Sequence, residues 1–206
     1  MAEIKLTKNE LRAQQNKLNQ LKKYLPTLQL KKAMLQAEVS EARAEIAKCE
    51  EEYHRVHAKV EGYSPLLTQI LTVNLKDSAK IVKVGRRYEN IAGVEVPYFE
   101  SIAFADFSYN LFDTPPWVDP VTRGLRELAE ANVRIKIARE KKTALENELR
   151  EVSIRVNLFE KILIPRAARN IKKIKVFLGD QQLAAVSQAK VAKAKIEERK
   201  EALAVG

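Results

Sequence analysis

The sequence predicts a mainly α protein, a long antiparallel coiled-coil hairpin of two helices with a small β-hairpin-containing insert at the turn end. Two observations support this fold class. Apolar residues repeat with heptad 3-4 spacing in both terminal regions of the 206-residue chain, and aromatic and β-branched residues are concentrated between the two repeats. Because a narrow apolar stripe kept up over many heptads needs a partner stripe of similar length, the two repeats are expected to pair.

The first repeat lies in residues 1–76, the predicted N-terminal coiled-coil helix. Of eighteen a and d positions between Ile4 and Tyr63, fifteen are apolar. We expect helix from Ile4 to at least Glu61, with Ser64-Pro65 marking a break and a helix resuming over 66–75. Cys49, the only cysteine, takes a d position, which predicts a buried small side chain rather than a reactive thiol.

Residues 77–119 form the predicted insert, and they contain eight of the thirteen aromatic residues. β-Branched and aromatic residues stand on both sides of Gly93, which is typical of a β-hairpin. These residues lie between Ile81 and Ile91 before the glycine and between Val94 and Ile102 after it, and 110–120 is expected to be a loop because consecutive prolines exclude helix. The residues expected to define the hairpin are Asn90, Gly93, Val94, Val96 and Pro97.

Residues 120–206 form the predicted C-terminal coiled-coil helix with a basic tail, capped by Asp119 with Pro120 at its first position. Its apolar spacing contains an extra four residues around 159–171, a stutter that locally unwinds a supercoil, and Pro165 lies within it. Pairing residue 76 with about 119 would place residue 26 opposite about 169. Pro26 and Pro165 are therefore predicted to weaken both helices at one level and produce a shared bend.

Net charge is +10, and the last 46 residues hold eleven Lys/Arg against four Asp/Glu. A basic end indicates an anionic partner, either nucleic acid or an acidic protein surface. Only Phe177 is available there to stack on bases, so protein contact is favoured. The residues expected to make that contact are Arg166, Arg169, Lys172, Lys173 and Lys175.

Catalysis finds no support in the sequence. It contains neither GxxxxGK[ST] nor GxGxxG, which argues against nucleotide binding, and no cofactor is expected. His54 and His57 lack a third convergent His or Cys ligand, so a solvated helix face is favoured over a metal site. No apolar run is long enough to span a bilayer and no apolar signal segment is evident, so a cytoplasmic location is expected.

Three segments resemble the D subunit of V-type (vacuolar/archaeal-type) ATPases. Residues 90–97, NIAGVEVP, are similar to that family's NI-x-GV-x-VP hairpin, and 155–166, RVNLFEKILIPR, continuing to 170–174, NIKKI, is similar to its RVNALE-x-x-x-IPR segment and the TI-x-x-I that follows. Pro26-Thr27 followed by residues 30–32 resembles a variant of its LL-x-x-KRD element. Phe159 and Ala168 stand where the family usually has Leu. The γ subunit of F-type ATPases has a similar shaft but a much larger insert.

The resemblance implies a non-catalytic central-stalk rotor shaft that couples ATP hydrolysis or synthesis to proton or sodium transport. It further implies that the paired termini enter the A3B3 hexamer of catalytic A and B subunits. The insert end would face the membrane ring through the socket subunit, with the small F subunit of the stalk alongside. On this interpretation the chain is peripheral to the membrane only through the complex, and the five basic residues named above meet acidic loops of the hexamer.

Three alternatives remain open from the sequence. A basic coiled-coil architectural protein that binds nucleic acid would show affinity falling steeply with salt. A prefoldin-like chaperone arm would need exposed apolar tips, whereas the tips here are basic. A structural tether would leave nucleotide turnover unchanged.

Overall fold

The structure is a computed structural model that describes residues 4–65, 74–110, 112 and 114–204. It confirms the predicted fold class: long helices flank a two-stranded antiparallel hairpin. The elements are α1 (Lys8–Glu61), a 3-10 turn (Leu75–Ala79), β1 (Ile81–Ile91), β2 (Val94–Phe104), α2 (Val118–Leu158), a π-turn (Phe159–Leu163) and α3 (Ile164–Ala204). The helix predicted over 66–75 falls outside the described residues except at its last two positions.

The chain divides into two compact units, each of which contains parts of both helical stretches. The hairpin unit comprises residues 30–152 and includes both β-strands. The terminal unit comprises residues 1–29 and 153–206 and includes the π-turn and α3.

In the hairpin unit, cross-helix ion pairs show that α1 and α2 run antiparallel. Lys31 pairs with Glu148 at 2.6 Å, and further along α1 Glu50 pairs with Arg139 at 2.7 Å. The seam between the helices is built from the predicted heptad positions, because apolar side chains there are withdrawn from water. Its fully buried members in this unit include Leu35, Ala42 and Leu145.

The predicted register between the helices is wrong. In the terminal unit, Asn170 Nδ2 donates to Gln14 Oε1 at 3.5 Å, whereas pairing 76 with 119 would place residue 14 opposite about 181. That difference corresponds to about three helical turns. The cause is that α1 ends at Glu61, well before the crossing point assumed from the sequence.

The start of α2 also differs from the prediction. The helix begins at Val118, so Asp119 lies in its first turn and is not the N-cap. Its carboxylate accepts a hydrogen bond from the Tyr109 hydroxyl, and this bond raises the pKa of Tyr109. Asp119 therefore ties the segment after β2 to the first turn of α2.

The β-hairpin lies along the helices of its own unit. Phe104, at the end of β2, lies beneath Arg126 of α2, with 5.6 Å from the guanidinium carbon to the ring centroid. At the other end of the hairpin, a Cβ built on Gly93 would lie 3.8 Å from the Lys31 ammonium of α1. The insert therefore runs back alongside α1 and α2.

Candidate partner-binding surfaces

The basic segment, residues 161–175, carries six cationic side chains and no Asp or Glu. All six are exposed, and none forms an ion pair with a described residue. Ala167 and Ile174 on the same stretch are buried, whereas all six charges face solvent. The segment comprises Lys161 and the five predicted contact residues, Arg166, Arg169, Lys172, Lys173 and Lys175.

Arg166 also borders a cleft within the terminal unit. The cleft has a volume of about 450 Å³, and Lys5 and Lys17 of the N-terminal stretch line it together with Arg166. Glu10 is the only acidic residue among the described residues that line it, and its carboxylate accepts a hydrogen bond from Gln14 at 2.8 Å. Positive charge therefore continues from the basic segment onto the beginning of the chain.

The π-turn comes immediately before the basic segment. The Ile164 N–H donates to the Phe159 carbonyl, five residues back, rather than the four of an α-helix. Pro165 lacks an N–H and its ring would crowd the carbonyl of Lys161 in a regular helix, so the wider turn accommodates the proline. The predicted stutter therefore corresponds to a defined irregularity at residues 159–163. Pro26, in contrast, lies inside the continuous helix α1.

The end of α3 has no cover among the described residues. Every side chain from Asp180 to Lys200 is exposed. Several of them are large and apolar, which is costly for a surface that remains in water. These are Leu183, Val186, Val191 and Ile196.

The predicted hairpin residues form the turn and the inner strand. Ala92 and Gly93 both have positive φ, 51° and 85°, as a two-residue type I′ turn requires. Asn90 stabilises the turn, since its Oδ1 accepts a hydrogen bond from the Gly93 N–H at 2.9 Å. Val94 follows the turn and pairs with Ile91.

Val96 and Pro97 are the buried residues of β2, and Val96 is completely shielded from solvent. A proline within a strand usually removes a ladder hydrogen bond. Pro97 pairs with Tyr88, three pairs from the Ile91–Val94 pair that closes the turn. In an antiparallel hairpin that pair is of the non-hydrogen-bonded type, so no ladder bond is lost.

The side chains that hold β2 to α2 were not predicted from the sequence. Three cationic side chains of α2 each lie over an aromatic ring of β2, as Arg126 does over Phe104. Arg134 is 5.0 Å from the Phe99 centroid, and the Lys141 ammonium is 4.1 Å from the Tyr98 centroid. Two features of the sequence could have indicated these contacts. Basic residues recur about every two helical turns at 126, 134 and 141, and two aromatic residues are adjacent at 98 and 99 in the predicted β-hairpin.

Cys49 is half-buried, not buried as predicted. It lines a cleft of about 440 Å³ in the hairpin unit, together with Tyr98 and Phe99. Burial, followed by the negative charges of Glu45 and Glu52, raises the pKa of the thiol. A raised pKa reduces the thiolate fraction, which disfavours nucleophilic or metal-binding roles.

Within the described residues, no group of three or more His, Cys, Asp or Glu side chains could hold a metal ion. His54 and His57 flank the Tyr53 ring, and His57 Nδ1 lies 3.6 Å from Glu61. Nor does any helix in the described ranges combine the length and apolar character needed to cross a membrane.

Comparison with known proteins identifies relatives across nearly the whole chain. The family model that describes the D subunit of ATP synthase matches residues 10–194. The V-type ATP synthase D subunit of Chlamydia abortus is 46% identical over 201 residues, covering 97% of both chains. The Chlamydia caviae protein of the same name is 47% identical over 201 residues, again covering 97% of both chains, and that of Chlamydia pneumoniae is 43% identical over 199 residues, covering 96% of this chain and 95% of its own.

Proposed function

This chain belongs to the D-subunit family of ATP synthases, and we propose that it is the central-stalk rotor shaft of a V-type rotary ATPase or ATP synthase. In this role it performs no chemistry itself. Its asymmetric surface biases which catalytic interface of an A3B3 hexamer is open, and rotation couples ATP turnover to proton or sodium transport through the membrane ring. The observation that carries the proposal is the basic segment, whose cations form no ion pair with a described residue, followed by a helix end that no described residue covers.

The contrast in charge pairing between the two units supports a contact at the basic segment. In the hairpin unit, cations such as Lys31, Arg43 and Arg139 are matched by glutamates of the opposite helix at 2.6–2.8 Å. In residues 161–175, six exposed cations have no such match among the described residues. Charges left unpaired on one continuous surface favour an acidic partner through long-range attraction. We assign that partner to acidic loops of the hexamer.

The uncovered end of α3 supports insertion of the termini into the hexamer. A helix whose side chains are all exposed over 180–200 gains little stability from its own chain, and isolated helices are marginal in water. Leu183, Val186 and Val191 would lose their contact with water inside a protein cavity. In the proposed complex, the hexamer provides that cavity.

The remaining partners are proposed from family membership. The insert end faces the membrane ring through the socket subunit, and the small F subunit of the stalk binds alongside. The chain reaches the membrane only through this complex. It binds no nucleotide itself in this scheme.

Affinity purification of the tagged full chain from its native cell extract at moderate salt tests the assembly. We expect A and B subunits at about 3:3 together with a small F-like subunit, because the exposed surfaces would be covered in the complex. Recovery of nucleic acid alone, released by raised salt, would instead identify the chain as an architectural nucleic-acid binder and overturn the proposal.

Charge reversal tests the hexamer contact specifically. One exposed ion pair contributes only about 0.2–1 kcal/mol, so removing a positive charge would have a small effect. Replacing it by a negative charge also adds repulsion from an acidic partner and should have a larger effect. We expect Arg166→Glu/Arg169→Glu to reduce ATP hydrolysis coupled to ion transport in the reconstituted complex. Arg123→Glu/Lys136→Glu makes the same change in net charge at exposed positions of the hairpin unit and serves as the control. Equal activity of both double variants would contradict the assigned contact.

A further inference from the structure

We propose that Lys141 is the positioning residue that fixes the β-hairpin against α1 and α2. Among the described residues it is the one buried side chain that carries a charge, at 5% exposure. The other buried polar residues, Ser78 and Thr122, bear hydroxyl groups. A buried ammonium is costly unless neighbouring groups compensate it, so its contacts indicate what it holds in place.

Lys141 joins three elements at one point. The residue belongs to α2, and its Nζ donates to Glu45 Oε2 of α1 at 2.9 Å. The same ammonium lies 4.1 Å from the ring centroid of Tyr98 in β2. Burial alone would lower the pKa of Lys141, but the neighbouring Tyr98 and the hydrogen-bonded carboxylate of Glu45 outweigh it and leave the pKa raised. The side chain is therefore a charged link between both helices and the inner strand.

An apolar residue at position 141 would fit its surroundings. Val133 and Ile137 precede it at four-residue spacing on the same stripe of α2, and both are buried, at 9% and 2% exposure. The Glu45 side chain is 40% exposed, so an apolar residue at position 141 would leave its carboxylate in contact with water. We therefore infer that the charge at Lys141 determines where the β-hairpin lies on the helices more than it determines global stability. Buried polar residues in coiled coils fix helix register in a comparable way.

The buried Val96 and Pro97 also hold the turn half of β2, and Lys141 supplies the charged contact beside them. Arg126 holds the Phe104 end, where it also donates from Nε to the Ser78 carbonyl at 2.9 Å. Arg134 lies over Phe99, and Arg86 pairs with the exposed Glu140 at 2.6 Å. Of the three ring contacts, that of Lys141 is the one nearest the turn in strand order. Its loss should free residues 87–98 while the Phe104 end stays docked.

Hydrogen exchange of the full-length chain, followed by mass spectrometry of peptides, tests this inference. We expect Lys141→Met to accelerate exchange in the turn half of the hairpin by roughly tenfold, because the cation–π contact with Tyr98 and the hydrogen bond to Glu45 are lost. Exchange in α1, α2 and the Phe104 end should change little. Lys142→Met is the matched control, since Lys142 is half-exposed and pairs with Glu146 of its own helix at 3.8 Å.

Two further variants keep the test decisive. Glu45→Gln/Lys141→Met removes both charges and avoids an uncompensated carboxylate. Tyr98→Leu removes the ring from the strand without changing either helix and should produce the same local acceleration. Unchanged hairpin exchange in all three variants, or a uniform increase throughout the hairpin unit, would overturn the proposal. This experiment needs no other protein of the complex, so its result is independent of the rotor function.

Discussion

Gly124 of α2 lies directly against Val60 of α1, and a Cβ built on the glycine would come within 2.8 Å of Val60 Cγ2. That separation is shorter than a carbon–carbon contact allows. Because Gly124 has no side chain, α1 and α2 can pack more closely here than they could around an alanine. Both residues belong to the hairpin unit, near the end of α1. A valine in a helix is restricted to essentially one χ1 rotamer, so it cannot turn aside at low cost.

Gly124→Ala should therefore destabilise the protein by up to about 2 kcal/mol, because the cost of about 1–3 kcal/mol for inserting a methyl group into a packed site is partly offset by the better helix propensity of alanine. The matched control is Gly179→Ala in α3, where a Cβ would meet no atom within 4 Å. That variant should gain about 0.5–1 kcal/mol, since alanine is the better helix former. Urea unfolding of the two single variants measures both changes. A neutral Gly124→Ala would mean that the helices can separate at this level without cost.

The hairpin between the helices and the position of its turn were predictable because the turn chemistry is local. Positive φ at Gly93 and the β-branched residues around it depend on neighbours in sequence. The attachment of the hairpin was not predictable, since Lys141 resembles any surface lysine of a long helix until Tyr98 and Glu45 are seen beside it. Helix register was missed for a similar reason. A heptad seam accepts several alignments, and only the end of α1 at Glu61 selects one.

The turn of the hairpin contains a residue that can be improved. Ala92 occupies the first central position with φ 51°, a left-handed conformation that costs an L-residue with a Cβ roughly 1–2 kcal/mol. Asparagine tolerates this conformation and is the preferred residue before glycine in a type I′ turn. Ala92→Asn should therefore slow hydrogen exchange in β1 and β2. Gly93→Val should accelerate it, because a β-branched residue is strained at φ 85°.

Identical exchange rates in both turn variants would contradict this account. They would mean that packing of β2 on α2, rather than the turn, determines the stability of the hairpin. The amides of α1 provide the control. A change in global stability would alter their exchange as well, whereas an effect confined to the turn would alter exchange in β1 and β2 alone.

The Cys49 thiol should be slow to react with iodoacetamide. Burial and the carboxylates of Glu45 and Glu52 raise its pKa, and the thiolate is the reacting species. The midpoint of the alkylation rate against pH should therefore lie above that of an ordinary cysteine. Alkylation in denaturant provides the control, because unfolding removes both causes and should bring the midpoint back. A folded-state midpoint at or below the denatured one would contradict the assigned environment.

Pro165→Ala tests whether the π-turn serves the proposed rotor function. The alanine N–H can donate to the Lys161 carbonyl, so the reason for the wide turn at 159–163 disappears and a regular helix becomes accessible. A helix-interior proline costs about 3 kcal/mol when unrelieved, and the π-turn has relieved part of it, so the variant should be at least as stable as the parent. Closing that turn rotates the basic segment relative to the residues before it.

In the reconstituted complex, we therefore expect Pro165→Ala to lower the number of ions transported per ATP while the melting temperature stays the same or rises. Pro26→Ala is the matched control, because it removes a proline from a helix that continues without a π-turn. If each proline bends its own helix, both variants should reduce coupling. If the π-turn alone sets the orientation of Arg166 and Arg169, only Pro165→Ala should. If the number of ions transported per ATP is unchanged in both variants, neither proline has a role in coupling.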